Sequence, residues 1–158
     1  MRNRSVTFDV RAFLFFVLGT LAVGFLGGLL GNTAGFSALK APPLAPPAFL
    51  FPIVWSVLYL LMGFAAYLVY QSGDQDRGKA LRLYLLQLAF NVLWPLFFFR
   101  LQWRGFALVW LLALIVLIVL TVKAFRPICP ATLWLLLPYL LWCLFAAYLN
   151  FGYLLLNG

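Results

Sequence analysis

The sequence predicts an all-α integral membrane protein, a bundle of five transmembrane helices in a single domain over residues 1–158. Three observations carry this. The chain is 66% hydrophobic and only 9% charged, where soluble domains are about a quarter charged. Its apolar residues gather into five runs, each about as long as the roughly 20 residues that a helix needs to cross a hydrocarbon core. Within those runs the apolar residues are continuous and do not alternate, which excludes the barrel pattern.

The first span covers about Val10 to Leu30. Arg2, Arg4 and Arg11 precede it and small residues close it, so a secretory signal peptide is the competing reading. The run is longer than a usual signal core and no clear A-x-A site follows, so the expectation is a retained span. Gly19, Gly24, Gly27, Gly28 and Gly31 permit close backbone approach, in the bundle or in a dimer, with Gly24 and Gly28 forming a small-xxx-small pair.

A proline-dense loop, about residues 32–50, follows. Pro42, Pro43, Pro46, Pro47 and Pro52 oppose continuous helix and favour extended or turn backbone. A stiff segment of this kind at the mouth of a bundle reads as a lid, and a lid implies a binding protein.

Four further spans follow: about Phe51 to Tyr70, Ala80 to Phe99, Gly105 to Phe125 and Ala131 to Leu156. The last is long enough to tilt or protrude. Lys and Arg in the connections set the orientation. The N-terminal side holds Arg2, Arg4, Arg11, Arg77, Lys79, Arg82, Lys123 and Arg126, against Lys40, Arg100 and Arg104 on the other, a bias of eight to three. The positive-inside rule then places the N-terminus in the cytoplasm, with a bacterial cell membrane as the expected location and the proline loop facing outward. The net charge of +8 expresses this topology together with attraction to anionic lipid. Basic residues scattered over both sides do not form a nucleic-acid footprint.

Much chemistry is excluded. The chain has no His and no Glu, and its three Asp (Asp9, Asp74, Asp76) flank the spans. Paired carboxylates, a Ser-His-Asp set and zinc motifs are therefore missing, as is the intramembrane ionisable group of a proton-coupled pump. Cys129, between two prolines, and Cys143, within the last span, read as isolated thiols. Cys143 as a haem ligand is the sharper alternative.

Uncharged polar and aromatic residues remain as candidates. Gln87, Asn91, Trp94 and Phe98 recur at spacings of four, three and four. Tyr139, Trp142, Ala146 and Asn150 recur at three, four and four, and Trp55, Tyr59, Met62 and Ala66 at four, three and four. Each set lies on one helix face. Amides in lipid need hydrogen-bond partners, so these faces should point inward. Interior amides also serve simply to link helices, and aromatics near span ends form interfacial belts. Three such stripes beneath a proline lid favour an aromatic-lined cavity for a flat apolar ligand.

The residues from the loop onward resemble the translocator protein family, also called the tryptophan-rich sensory proteins (TspO/MBR). The resemblance rests on P-P-A-F-L-F-P-I-V-W-S-V-L-Y-L-L-M-G-F-A-A-Y-L-V from Pro46, Q-L-A-F-N-V-L-W from Gln87 with Phe98 and Phe99 beyond it, and P-Y-L-L-W-C-L-F-A-A-Y-L-N from Pro138. It implies a compact five-helix bundle, commonly a homodimer, that binds porphyrins and haem-type tetrapyrroles, sterols in animal members, and synthetic benzodiazepine-site drugs. It also implies a pocket of Pro46, Pro47, Trp55, Tyr59, Gln87, Asn91, Trp94, Phe98, Tyr139, Trp142, Ala146 and Asn150. A tetrapyrrole is the expected ligand, and no covalent cofactor and no metal are expected. Ala146 falls where substitution alters ligand binding in the family.

The loop departs from the family pattern. Gly35-Phe36 stands for the usual W-Y before Leu39, Leu44 replaces the loop tryptophan, and a second common loop aromatic is Phe49 rather than tryptophan. Some bacterial members degrade protoporphyrin in light, and the lost loop tryptophan is one of two implicated there; the other is Trp142. The expectation is ligand binding without photochemical turnover. The animal sterol pattern, which Leu149 and Tyr153 could begin, is not completed by a Lys or Arg in residues 154–158. Two other readings are a carrier for a small apolar metabolite, weakened because no inverted repeat is evident, and an accessory subunit of a larger, pigment-handling membrane complex.

Overall fold

The computed structural model describes residues 7–158. Arg2 and Arg4 of the topology count lie outside the described residues. The five helices run α1 Val10–Leu30, α2 Leu50–Gln71, α3 Arg77–Pro95, α4 Arg104–Ile128 and α5 Thr132–Asn157, and each is long and apolar enough to span a membrane. The expected spans are matched to within a few residues at every end. Among the described residues there is no strand.

Going around the bundle, α1 packs on α2, α2 on α5, α5 on α4, α4 on α3, and α3 back on α1. Contacts between α2 and α3 close the middle. Successive helices run antiparallel, so the molecule has two ends. One carries the start of α1 and the α2–α3 and α4–α5 turns. The other carries the loop of residues 31–49, the α3–α4 turn and the end of α5.

Local chemistry explains the boundaries. Asp9 caps α1, its Oδ1 accepting from the Ala12 amide at 3.1 Å. Pro52 falls inside the first turn of α2, where its missing N–H would have no helical partner; it is part of the helix, not of the loop. Pro95 cannot donate to Asn91, and the ladder beyond it widens into a π turn over Leu96–Arg100. The Leu101 amide then donates to the Leu96 carbonyl and Trp103 to Phe97, each at 2.9 Å. This turn positions Phe98 and Phe99 against the loop.

The glycines of α1 divide differently from the expected pair. Gly24, Gly27 and Gly31 are buried, following Val17 and Thr20 along one stripe, whereas Gly28 is exposed and has nothing nearby. Gly24 meets the ring of Tyr59 and Gly27 meets Val92. The closest approach to a neighbouring helix's backbone is at Gly63 on α2, where an added Cβ would sit 2.7 Å from Val17 Cα. Close backbone approach of this kind replaces the hydrophobic drive that helices lack in lipid.

Candidate functional site

The three polar and aromatic stripes converge at the centre of the bundle. Tyr59 Oη donates to Asn91 Oδ1 at 2.6 Å, and Asn91 Nδ2 donates to Tyr139 Oη at 2.9 Å. Tyr139 Oη in turn donates to Gln87 Oε1 at 2.7 Å. This relay ties α2, α3 and α5 together without a charge. Toward the loop end, Trp94 Nε1 donates to Asn150 Oδ1 at 3.2 Å, and Asn150 Nδ2 donates to the Arg104 carbonyl at 2.9 Å. All five side chains of the two networks that carry amides or phenols are buried.

The relay is incomplete at its edge. Gln87 Nε2 and Trp142 Nε1 are buried and have no hydrogen-bond partner among the described residues. Each orphaned donor costs about 1–3 kcal/mol, so both are candidates to face a ligand acceptor. Trp55 stacks on Tyr59 with centroids 5.5 Å apart and stands edge-on to Tyr139. Trp142 is edge-on to Phe51 at 5.9 Å.

Between the networks and the loop lies an apolar cavity lined by Phe36, Phe51, Trp94, Phe98, Phe99, Ala146, Leu149, Asn150 and Tyr153. Four of the expected pocket residues (Trp94, Phe98, Ala146 and Asn150) are among these. The cavity holds only about 20 Å³, against roughly 300–1,000 Å³ for a typical ligand site. The expected aromatic-lined space is thus filled by the aromatics themselves. Trp94 stacks on Phe98 at 5.1 Å, and Phe36 lies 5.1 Å from Phe99 and 5.0 Å from Tyr153.

Phe36 reaches this position from a short 3₁₀ turn, Phe36–Ala38, preceded by Gly35 at φ 83°. The loop is fastened along α5. The Lys40 amide donates to Asn157 Oδ1 at 2.9 Å, and Asn157 Nδ2 donates back to the Lys40 carbonyl at 3.0 Å. Tyr148 Oη donates to the Pro43 carbonyl at 2.7 Å, and Pro42 packs against Gly152, where an added Cβ would meet its ring at 2.5 Å.

Pro46 and Pro47 do not line the cavity: the first is half-buried and the second exposed. The proline that does the packing is Pro42. Leu44, at the position of the missing loop tryptophan, is 83% exposed with φ 64°, so its side chain forms no wall of this closed site. Phe36, Phe51, Phe99, Leu149 and Tyr153 were not singled out as pocket residues from the sequence. Tyr153 continues the α5 stripe three residues beyond Asn150, and that spacing was the available signal. Phe36 sits in a loop, where no periodicity marks it. Cys143 is buried in the core and Cys129 half-buried beyond α4, and both are free. No cluster of metal-ligating side chains occurs among the described residues.

A family model described as the TspO/MBR family matches residues 16–156. A tryptophan-rich protein TspO from Archaeoglobus fulgidus is 35% identical over 145 residues, covering 90% of this chain and 94% of that protein. A translocator protein from Ovis aries is 37% identical over 134 residues, covering 81% and 79%. A tryptophan-rich sensory protein from Cereibacter sphaeroides is 35% identical over 149 residues, covering 94% and 93%.

Proposed function

The chain belongs to the TspO/MBR family, and from that premise we propose that it is a membrane binding protein for tetrapyrroles of the porphyrin and haem type, or for planar hydrophobic ligands like them, with a role in sensing, buffering or delivery. The observation that carries this reading is the indole of Trp142. Its N–H is buried with no partner among the described residues, next to a wall of aromatic rings. Aromatic faces suit a flat conjugated ligand, and an orphaned donor suits an acceptor on it. The Gln87 amide supplies a second donor of the same kind.

Binding requires the site to open, because the closed cavity is far smaller than a tetrapyrrole. The loop is the part that yields. It is held by Asn157, Tyr148 and Pro42 at the bundle's rim, where each hydrogen bond contributes only about 1 kcal/mol. Phe51 lines the cavity and stands edge-on to Trp142, so its ring is what divides the cavity from that indole.

The test is a dark titration with protoporphyrin IX followed by tryptophan fluorescence, comparing wild type with Trp142→Phe. The expected result is saturable quenching that weakens about threefold to tenfold in the variant. Quenching no greater than that of free tryptophan in the same detergent would remove the tetrapyrrole reading and favour the accessory-subunit alternative. Under illumination, unchanged porphyrin absorbance is expected, since Leu44 stands where the loop indole is lost.

We further infer a homodimer in a bacterial cell membrane with a cytoplasmic N-terminus. The charge bias supports the orientation: Arg11, Arg77, Lys79, Arg82, Lys123 and Arg126 lie at the N-terminal end. The exposed apolar face of α1, with Phe15, Phe25 and Leu29, supports pairing. A protease-accessible tag at each terminus tests the orientation, and light scattering of the detergent complex tests the dimer.

A further inference from the structure

Arg104 opens α4 and is 9% exposed. From the sequence it reads as a loop charge, yet it is buried. Its backbone carbonyl is used by Asn150. Its guanidinium makes no hydrogen bond and no ion pair among the described residues, and its Nε is fully buried. A charged side chain that buries one nitrogen without a partner is costly to the fold.

No side chain at this end offers it a carboxylate. There is no Glu, and Asp9, Asp74 and Asp76 all flank the opposite end of the bundle. The ion pair found among the described residues, Lys79 with Asp76, is at that end too. The start of α4 adds to the imbalance, because no side chain caps it and its first amides carry partial positive charge. Two positive features thus sit together with no ion pair to either among the described residues.

Arg104 lines a crevice of about 10 Å³ with Phe36, Phe98 and Phe99. The same three rings line the apolar cavity on the other side, with Trp94 and Asn150. We propose that Arg104 is the anion anchor of the ligand site, taking the carboxylate of an amphipathic acid whose apolar body lies among these aromatics. This rests on the binding reading given above and adds a requirement to it: the ligand carries an acid group. A guanidinium pairs with a carboxylate through two parallel hydrogen bonds, which fixes the ligand's orientation as well as its affinity. The crevice is smaller than a carboxylate, so the Phe36 turn, released at Gly35, must shift for the acid to enter. A lipid phosphate offers the same oxyanion chemistry, and the experiment separates the two.

Protoporphyrin IX, which carries two carboxylates, and its dimethyl ester are titrated into wild type, Arg104→Met, Arg104→Lys and Arg100→Met in a non-ionic detergent. The wild type is expected to bind the acid about tenfold more tightly than the ester. Arg104→Met should abolish that preference by weakening the acid alone, and Arg104→Lys should keep part of it. Arg100→Met, which removes an exposed charge nearby, should leave it unchanged. Equal binding of acid and ester by the wild type overturns the anchor while leaving the binding function standing, and that comparison does not depend on any variant folding. Failure of both compounds to bind overturns both. A preference that survives in Arg104→Met also overturns it. So does the absence of any preference together with phosphatidylglycerol retained through delipidation by the wild type and lost from Arg104→Met, which would assign the guanidinium to a lipid head group.

Discussion

The two ends of this bundle are built on opposite rules. At the N-terminal end, helices meet backbone to backbone and phenols are used within the chain. Gly63 presses on Val17, Met62, Ala65 and Ala66 are fully buried, and Thr20 shares a 2.6 Å hydrogen bond with Tyr84. From the middle to the loop end, large aromatics face one another across small cavities, and Gln87, Trp142 and Arg104 each bury an unpartnered nitrogen. Among the described residues near the N-terminal end, the Tyr67 hydroxyl alone shares that condition. A bundle in lipid gains stability from close packing and satisfied polar groups. The half that departs from both is the half arranged for something other than stability.

Substitutions at the two ends should therefore fail in different ways. The largest effect is expected at Gly63→Val, which drives a branched side chain into the α1 backbone. It should lower stability by about 3 kcal/mol, seen as lost folded yield and a lower unfolding temperature in detergent. Unchanged thermal stability would mean that the α1–α2 seam is not close-packed.

Next in size is Tyr139→Phe, at the junction of the halves. It leaves Gln87 Oε1 and Asn91 Nδ2 without their shared partner, at a cost of about 2 kcal/mol. Thermal unfolding of this variant beside Tyr59→Phe measures how far the relay acts as a unit; additive losses would show that it does not.

Trp142→Phe should separate binding from stability. The indole N–H has no protein partner to lose, so the unfolding temperature should stay within a degree or two of wild type while porphyrin affinity falls. A stability loss larger than the affinity loss would make Trp142 a packing residue.

The smallest effect is expected for Asn157→Ala. It removes both hydrogen bonds that clasp Lys40, which costs at most about 1 kcal/mol of stability because the site is near the rim. Stopped-flow quenching should show ligand entering and leaving faster. Unchanged rates would show that the clasp does not limit opening.

The helices were legible in the sequence because length and hydropathy alone determine a span. The inward faces of α3 and α5 were legible because amides cannot be left to lipid, and Gln87, Asn91, Tyr139 and Asn150 do converge as the spacing requires. The loop was not legible in the same way. Proline density predicted stiffness but not which residue would enter the bundle, and the residue is Phe36, placed there by the turn after Gly35. Pro46 and Pro47 point elsewhere, while Pro42 finds the gap left by Gly152. The contribution of Arg104 was hidden for another reason. A basic residue at a span end reads as a topology signal, and only the fold reveals that the π turn after Pro95 brings it inside.

The central claim is that the ligand site lies at the loop end and opens through the loop. Hydrogen–deuterium exchange with and without protoporphyrin IX tests it directly. The account predicts slowed exchange in residues 33–49 and 96–106, with no change at the α2–α3 and α4–α5 turns. Protection at those two turns, or none in the loop under saturating ligand, would contradict it.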